Sequence, residues 1–170
     1  MFSGAHLHLL VNHAPIFGAL FALATLLVSF VWVSASDVLR RVALLFLVFT
    51  GLAAAAANLS GDAAEDAIRG FPGVRRAVIH EHEDMGDKAY LAAGIVGVLS
   101  IGALARWRRT SIPRGATYGA LLGAAVVSGL MVYTGLLGGR VRHTEVRPGA
   151  TPSDATFIEP RPARPPDTQR

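Results

Sequence analysis

Four stretches of this chain carry no Asp, Glu, Lys or Arg: Leu9 to Val33, Val42 to Leu59, Ala89 to Ala105, and Gly115 to Gly139. A helix needs roughly 20 apolar residues to cross the hydrocarbon core of a bilayer, with about 17 as the lower limit. The first and last stretches exceed that length. The middle two reach it when Arg40, Arg41 and Lys88 extend their charged ends toward the interface. No period-two alternation runs through these stretches, which argues against a β-barrel. The pattern predicts an all-α integral membrane four-helix bundle, with spans at about 9–33, 40–59, 87–106 and 115–138. A buried soluble bundle is the alternative, but four uncharged runs leave too little polar surface for one.

The connecting segments predict an orientation. Ser34 to Arg41 carries Arg40 and Arg41 against Asp37. Arg106 to Arg114 carries Arg106, Arg108, Arg109 and Arg114 and no acid. Both segments fall on one side, which the positive-inside rule makes cytoplasmic. The segment from Ser60 to Tyr90 holds seven acids against four basic residues and is expected outside. Both termini then lie outside too, in the periplasm if the membrane is a bacterial inner membrane. Val33-Ser34-Ala35 resembles a signal-peptidase site, but the first span lacks a basic n-region and is too long, so it is read as retained.

Local signals fill in the outer segment. Ser60-Gly61 stops the second span, and Asp62 with Glu65 three residues on has capping-box spacing. A short extracytoplasmic helix from Asp62 to Arg69 is expected between helices two and three. Phe71-Pro72-Gly73 breaks the chain. The third long helix is then free to begin near Val74 and to stand above the membrane. Residues 1–145 form the bundle in this reading. Residues 146–170, with Pro148, Pro152, Pro160, Pro162, Pro165 and Pro166, are expected to be an extended or disordered Pro/Arg-rich tail. Such a tail is either a solvated terminus or an arm that reaches a partner subunit.

Composition narrows the class further. Of 170 residues, 52% are hydrophobic and only 16% charged, with mean hydropathy +0.43. A soluble domain carries about a quarter charged residues. With no cysteine, disulfides, thiolate ligands, iron–sulfur clusters and Cys nucleophiles are excluded. The net charge of +4 reads as topology, and no aromatic-interleaved basic face suggests nucleic acid. There is no phosphate-binding Gly loop and no Gly-x-Ser-x-Gly elbow. The span centres nearly lack ionisable groups, unlike those of transporters. Ser29, Thr50, Ser100 and Ser128 read as helix-packing residues.

The candidate chemistry is one-sided. With the predicted topology all six histidines fall on the outer side, together with the strongest acidic cluster. His6, His8 and His13 lie at the outer end of the first span, His80 and His82 precede the third, and His143 follows the fourth. Neutral imidazole is the commonest metal ligand, and carboxylates complete sites for zinc, iron or copper. His13 lies inside an apolar run, where an ionisable residue is a functional-site hypothesis. His6 and His13 are two turns apart, and His8 and Asn12 one turn apart. In Ile79-His80-Glu81-His82-Glu83-Asp84, His80 shares a helix face with Glu83 and Asp84, and His82 faces elsewhere. Glu65 is a ligand candidate or only a cap. Neither Glu-x-x-His nor His-Glu-x-x-His occurs. Gly51 to Ala57, and Gly129, Gly135, Gly138 and Gly139, let helices approach closely or leave room for a macrocycle. Arg75, Arg76, Arg140 and Arg142 stand on the side where haem propionates would need them.

His8-Leu9-Leu10-Val11-Asn12-His13-Ala14-Pro15-Ile16 resembles the opening of an uncharacterised bacterial family of small four-helix membrane proteins. The likeness continues at Ser60-Gly61-Asp62-Ala63-Ala64-Glu65, Phe71-Pro72-Gly73-Val74, His82-Glu83 and Gly138-Gly139-Arg140-Val141-Arg142-His143-Thr144-Glu145. It spans residues 6 to 145 and leaves out the tail. It implies a recurrent polar set at His8, His13, Glu65, His82, Glu83 and His143, with His6 and His80 as extras. It also suggests that Gly138-Gly139 lets the chain fold back over the bundle. It implies no activity.

The expectation is therefore a transition-metal site (Cu, Fe or Zn) at the periplasmic face, built from His8, His13, Glu65, His82, Glu83 and His143, in a redox or metal-handling role. The alternatives are a haem-b electron-transfer subunit, with Arg140 and Arg142 on the propionates, and a non-catalytic accessory subunit of a larger membrane complex. The expected partners are the lipid bilayer and, through the tail, such a complex.

Overall fold

A computed structural model describes residues 3–160, and all of its regular structure is helical. Six α-helices follow in order: α1 (Gly4–Val11), α2 (Ala14–Val31), α3 (Ser36–Leu59), α4 (Gly61–Ile68), α5 (Arg76–Arg106) and α6 (Arg114–Arg142). Four helical segments are long and apolar enough to cross a membrane: Gly4–Val31, Val33–Ile68, Arg76–Arg106 and Arg114–Arg142. The protein is a multi-pass helical membrane protein by that measure. At 31 residues and 1.5 Å per residue, α5 is about 46 Å long. That exceeds a core of about 30 Å, so one end of it must project.

α2, α3, α5 and α6 pack in a ring, each against two neighbours, while α1 lies on α4 at one end. The interior is filled mainly by small side chains. Ala19, Ala54, Ala89, Ala93, Val127 and Met131 form one buried cluster. Leu26, Leu44, Leu47, Ile112 and neighbouring alanines form a second. Gly51 and Gly97 let α3 and α5 touch: their Cα atoms face one another, and a Cβ on Gly51 would sit 3.0 Å from the Ala93 carbonyl. Large apolar side chains point outward instead, among them Leu52, Leu91, Val98 and Leu122. A soluble protein rarely leaves such continuous apolar surface uncovered. Ser29, Thr50 and Ser100 are buried and donate to carbonyls one turn back on their own helices.

The first span differs from its expected form. The uncharged run breaks at Asn12–His13, and Pro15 is the cause. Proline has no N–H to offer the carbonyl four residues back, and its ring crowds that carbonyl. It is tolerated in the first turn of the new helix, α2. The short helix spans Gly61–Ile68 and has no capping box. Ser60 is its N-cap, and the Ser60 hydroxyl bonds back to Ala56 O and Ala57 O. Glu65 pairs forward with Arg69 at 2.9 Å. α5 begins at Arg76, close to the expected start near Val74, after a left-handed turn at Gly73 (φ +78°), and Val74 packs with Ile79 and Val141.

At the opposite end the Asp37–Arg41 pair does structural work as well as carrying charge. Arg41 donates to Trp107 O at 2.9 Å and Thr110 O at 2.7 Å, and Asp37 accepts from Ile112 N. Arg40 donates to Ile112 O at 3.0 Å. These bonds tie the first turns of α3 to the loop between α5 and α6.

After α6 the chain turns back. Arg147 donates to Arg140 O, Val141 O and Gly73 O. Thr151 and Asp154 form a capping box on a short 3-10 turn. Asp154 pairs with Arg75, the Arg75 guanidinium stacks over Phe157, and Phe157 O accepts from Gly73 N. Residues 147–160 thus form an arm held on this chain's own 73–76 loop. The rest of the expected tail, 161–170, lies outside the described residues.

Candidate functional site

The site is built where α1, the end of α3, α4 and the start of α5 meet α6. α1 begins with a Ser3 cap, and Gly4 permits close contact, since a Cβ there would meet Ala63 at 2.6 Å. That contact turns His8 inward. Its Nδ1 lies 3.0 Å from Ala57 O and 3.2 Å from Ser60 Oγ. A carbonyl oxygen only accepts, so Nδ1 carries the proton. The Nε2 of neutral His8 is then an unprotonated lone pair.

His82 repeats the arrangement from α5. Its Nδ1 is 3.0 Å from Thr134 O on α6, which again leaves Nε2 as the lone-pair nitrogen. The ring lies flat against Gly138, where a Cβ would come within 3.0 Å of Cε1 and 3.3 Å of Nδ1. α6 continues through Gly138 and Gly139 to Arg142, so these glycines do not fold the chain back. Gly138 makes room for the imidazole. His8 and His82 are close enough to interact electrostatically.

The two carboxylates make contacts of their own. Glu65 on α4 and Glu83 on α5 lie within hydrogen-bonding reach of one another. Glu65 also binds Arg69, and Glu83 contacts His80 Nδ1 at 2.9 Å. Asn12, at the break between α1 and α2, buries its Oδ1 without a hydrogen-bond partner. An orphaned acceptor of this kind costs about 1–3 kcal/mol unless a donor meets it.

The other expected ligands stand apart. His13 is exposed at the start of α2. His143 follows α6, is 66% exposed, and contacts Glu145 at 2.9 Å. The backbone N–H of Glu145 and then the His143 ring hold the Glu145 carboxyl below its ordinary range. Arg142 stacks over Phe71 with 5.7 Å to the ring centroid. Arg140 is half-buried, and its carbonyl accepts from Arg147. Among the described residues, no three His, Asp or Glu side chains are arranged to hold one metal ion.

Sequence reasoning singled out His8 and His82 as candidates, but not the backbone atoms that anchor them. Ala57 O and Thr134 O are backbone atoms, invisible to a search for residue types. The role of Gly138 was hidden for a similar reason, because it depends on which ring faces it. Comparison with protein-family models, curated proteins and solved structures finds no match.

Proposed function

We propose that the end of the bundle bearing α1 and α4 binds a transition-metal ion through the Nε2 atoms of His8 and His82, with Glu65 and Glu83 alongside, in a redox or metal-handling role. One observation carries this reading: both imidazoles tie Nδ1 to a backbone carbonyl. Metal-binding histidines are commonly oriented this way, since the bond fixes the tautomer that presents a lone pair and raises its basicity. Nitrogen and oxygen donors without thiolate suit Cu(II), Fe or Zn. The Arg-rich loops at the far end support a cytoplasmic location for that end and a periplasmic one for the site. The proposal is independent of the family resemblance.

Metal content per chain, measured by elemental analysis on detergent-purified protein, tests it. Near-stoichiometric metal is expected in the wild type and in His143→Ala, with most of it lost in His8→Ala and in His82→Ala. Iron accompanied by a Soret band would point instead to the haem alternative. No metal after loading with each ion would overturn the proposal. That result would favour the accessory-subunit reading.

A further inference from the structure

A second site lies toward the other end of the bundle. α5 and α6 leave a groove of about 540 Å³ between them. Ligand clefts commonly have volumes of about 300–1,000 Å³. Its rims are Ile95, Leu99, Leu122 and Val126, all more than half exposed. Its lining along α6 runs from Ala116 to Val127. Eleven residue steps at 1.5 Å make that about 16 Å, close to half of a bilayer core of about 30 Å. The groove is thus as deep as one leaflet. Gly119 borders it, and a side chain there would meet nothing within 4 Å.

The lining is nearly all apolar, but it includes Arg40. One guanidinium nitrogen donates to Ile112 O, while Nε is buried with no partner. Asp37 lies near enough to interact with Arg40, but its carboxylate is engaged by Arg41 and by Ile112 N. Among the described residues Arg40 makes no ion pair. A half-buried cation with an unpartnered Nε at one end of a leaflet-deep apolar groove matches an amphipathic anion. Ser100 and Thr117, the hydroxyls in the lining, are buried and donate their protons to carbonyls four residues back, so neither has a donor left for a ligand.

We propose that this groove holds an acyl chain of an anionic phospholipid, with its phosphate on Arg40. Arginine pairs with phosphate through charge-assisted hydrogen bonds, and these strengthen where water is excluded. Arg106, Arg108, Arg109 and Arg114, in and beside the same loop, raise the local positive potential. The site is separate from the proposed metal site and stands without it.

Native mass spectrometry of the full chain in detergent micelles provides the test. Phosphatidylglycerol and phosphatidylcholine with identical acyl chains are added at matched concentrations, with and without inorganic phosphate. One phosphatidylglycerol per chain is expected to persist to activation energies that strip phosphatidylcholine. Arg40→Gln should lower its occupancy at least tenfold, and Arg40→Lys should restore part of it. Gly119→Leu should lower it as well, by filling the groove while leaving the charge in place. Millimolar inorganic phosphate should not compete, because the acyl chain supplies much of the binding. Equal retention of the two lipids, or phosphatidylglycerol retention unchanged in both Arg40→Gln and Gly119→Leu, would overturn the proposal. So would a dimer that disappears in Gly119→Leu, because a second copy would then be the occupant.

Discussion

Gly138→Ala separates the stability of the bundle from the chemistry proposed for it. The new methyl group would stand 3.0 Å from His82 Cε1, 3.3 Å from Nδ1 and 3.5 Å from Nε2, flat against the ring. The imidazole must yield by a few tenths of an ångström. The bond it holds, Nδ1 to Thr134 O at 3.0 Å, then stretches toward the limit at which it stops counting as one. Losing that bond costs about 0.5–1.5 kcal/mol. Replacing glycine by alanine inside a helix returns about 0.8–1.0 kcal/mol. The two effects nearly cancel, so the variant should lie within about 1 kcal/mol of the wild type when unfolded by titration with a denaturing detergent. The ring should change more than the stability does. Nitrogen-15 NMR of the histidine side chains should show the His82 Nδ1–H tautomer clearly dominant in the wild type and mixed in the variant. Metal affinity should fall about 10- to 100-fold, the usual effect of removing the hydrogen bond behind a histidine ligand. An unchanged tautomer in Gly138→Ala would refute the idea that Gly138 exists to seat this ring. So would a stability loss above about 3 kcal/mol, which would mean that the close approach serves helix packing instead.

Other changes test the frame around the site. Gly51→Leu should cost about 3 kcal/mol or more, since even a Cβ there meets the Ala93 carbonyl at 3.0 Å and α3 must move off α5. Gly102→Ala, with open space at that position, should be neutral or slightly stabilising in the same unfolding assay. Arg41→Ala removes donors to two carbonyls in the α5–α6 loop and should lower stability by about 1–3 kcal/mol, with Arg41→Lys recovering only part of it. The docked arm should respond to pH. The Thr151 backbone N–H and hydroxyl, and then Arg75, hold the Asp154 carboxyl below its ordinary range. A carboxyl depressed in the folded state stabilises it above the unfolded pKa, and that stabilisation is lost as pH falls through the folded value. Acidification below about pH 4 should therefore loosen the arm. At neutral pH, Asp154→Asn should do the same, read as faster hydrogen exchange at Gly73 N–H and Arg76 N–H, which residues of the arm now protect. Exchange unchanged in that variant would mean that the arm is held by Arg147 and Phe157 without the ion pair.

Charge-free runs of 17 to 25 residues are legible in the sequence because lipid leaves a chain few options. Every backbone polar group must be bonded internally, so long apolar runs become helices whatever surrounds them. The same one-dimensional logic exposed the short helix after Gly61 and the chain break at Phe71-Pro72-Gly73. It missed the break at Asn12–His13, although Pro15 was visible, because counting charges ignores backbone donors. Rotation about each helix axis was beyond the sequence. In a bundle whose helices are apolar all round, no hydrophobic stripe marks the inner face. Only packing decides that His8 and His82 turn inward onto Ala57 O and Thr134 O, while His13 and His143 remain exposed. It also decides that Arg40 borders an apolar groove, and that residues 147–160 fold onto this chain's own loop. Helix existence is a local property of backbone and solvent. Which side chains meet depends on contacts between residues 49 to 83 positions apart, and those come into being only when the helices assemble.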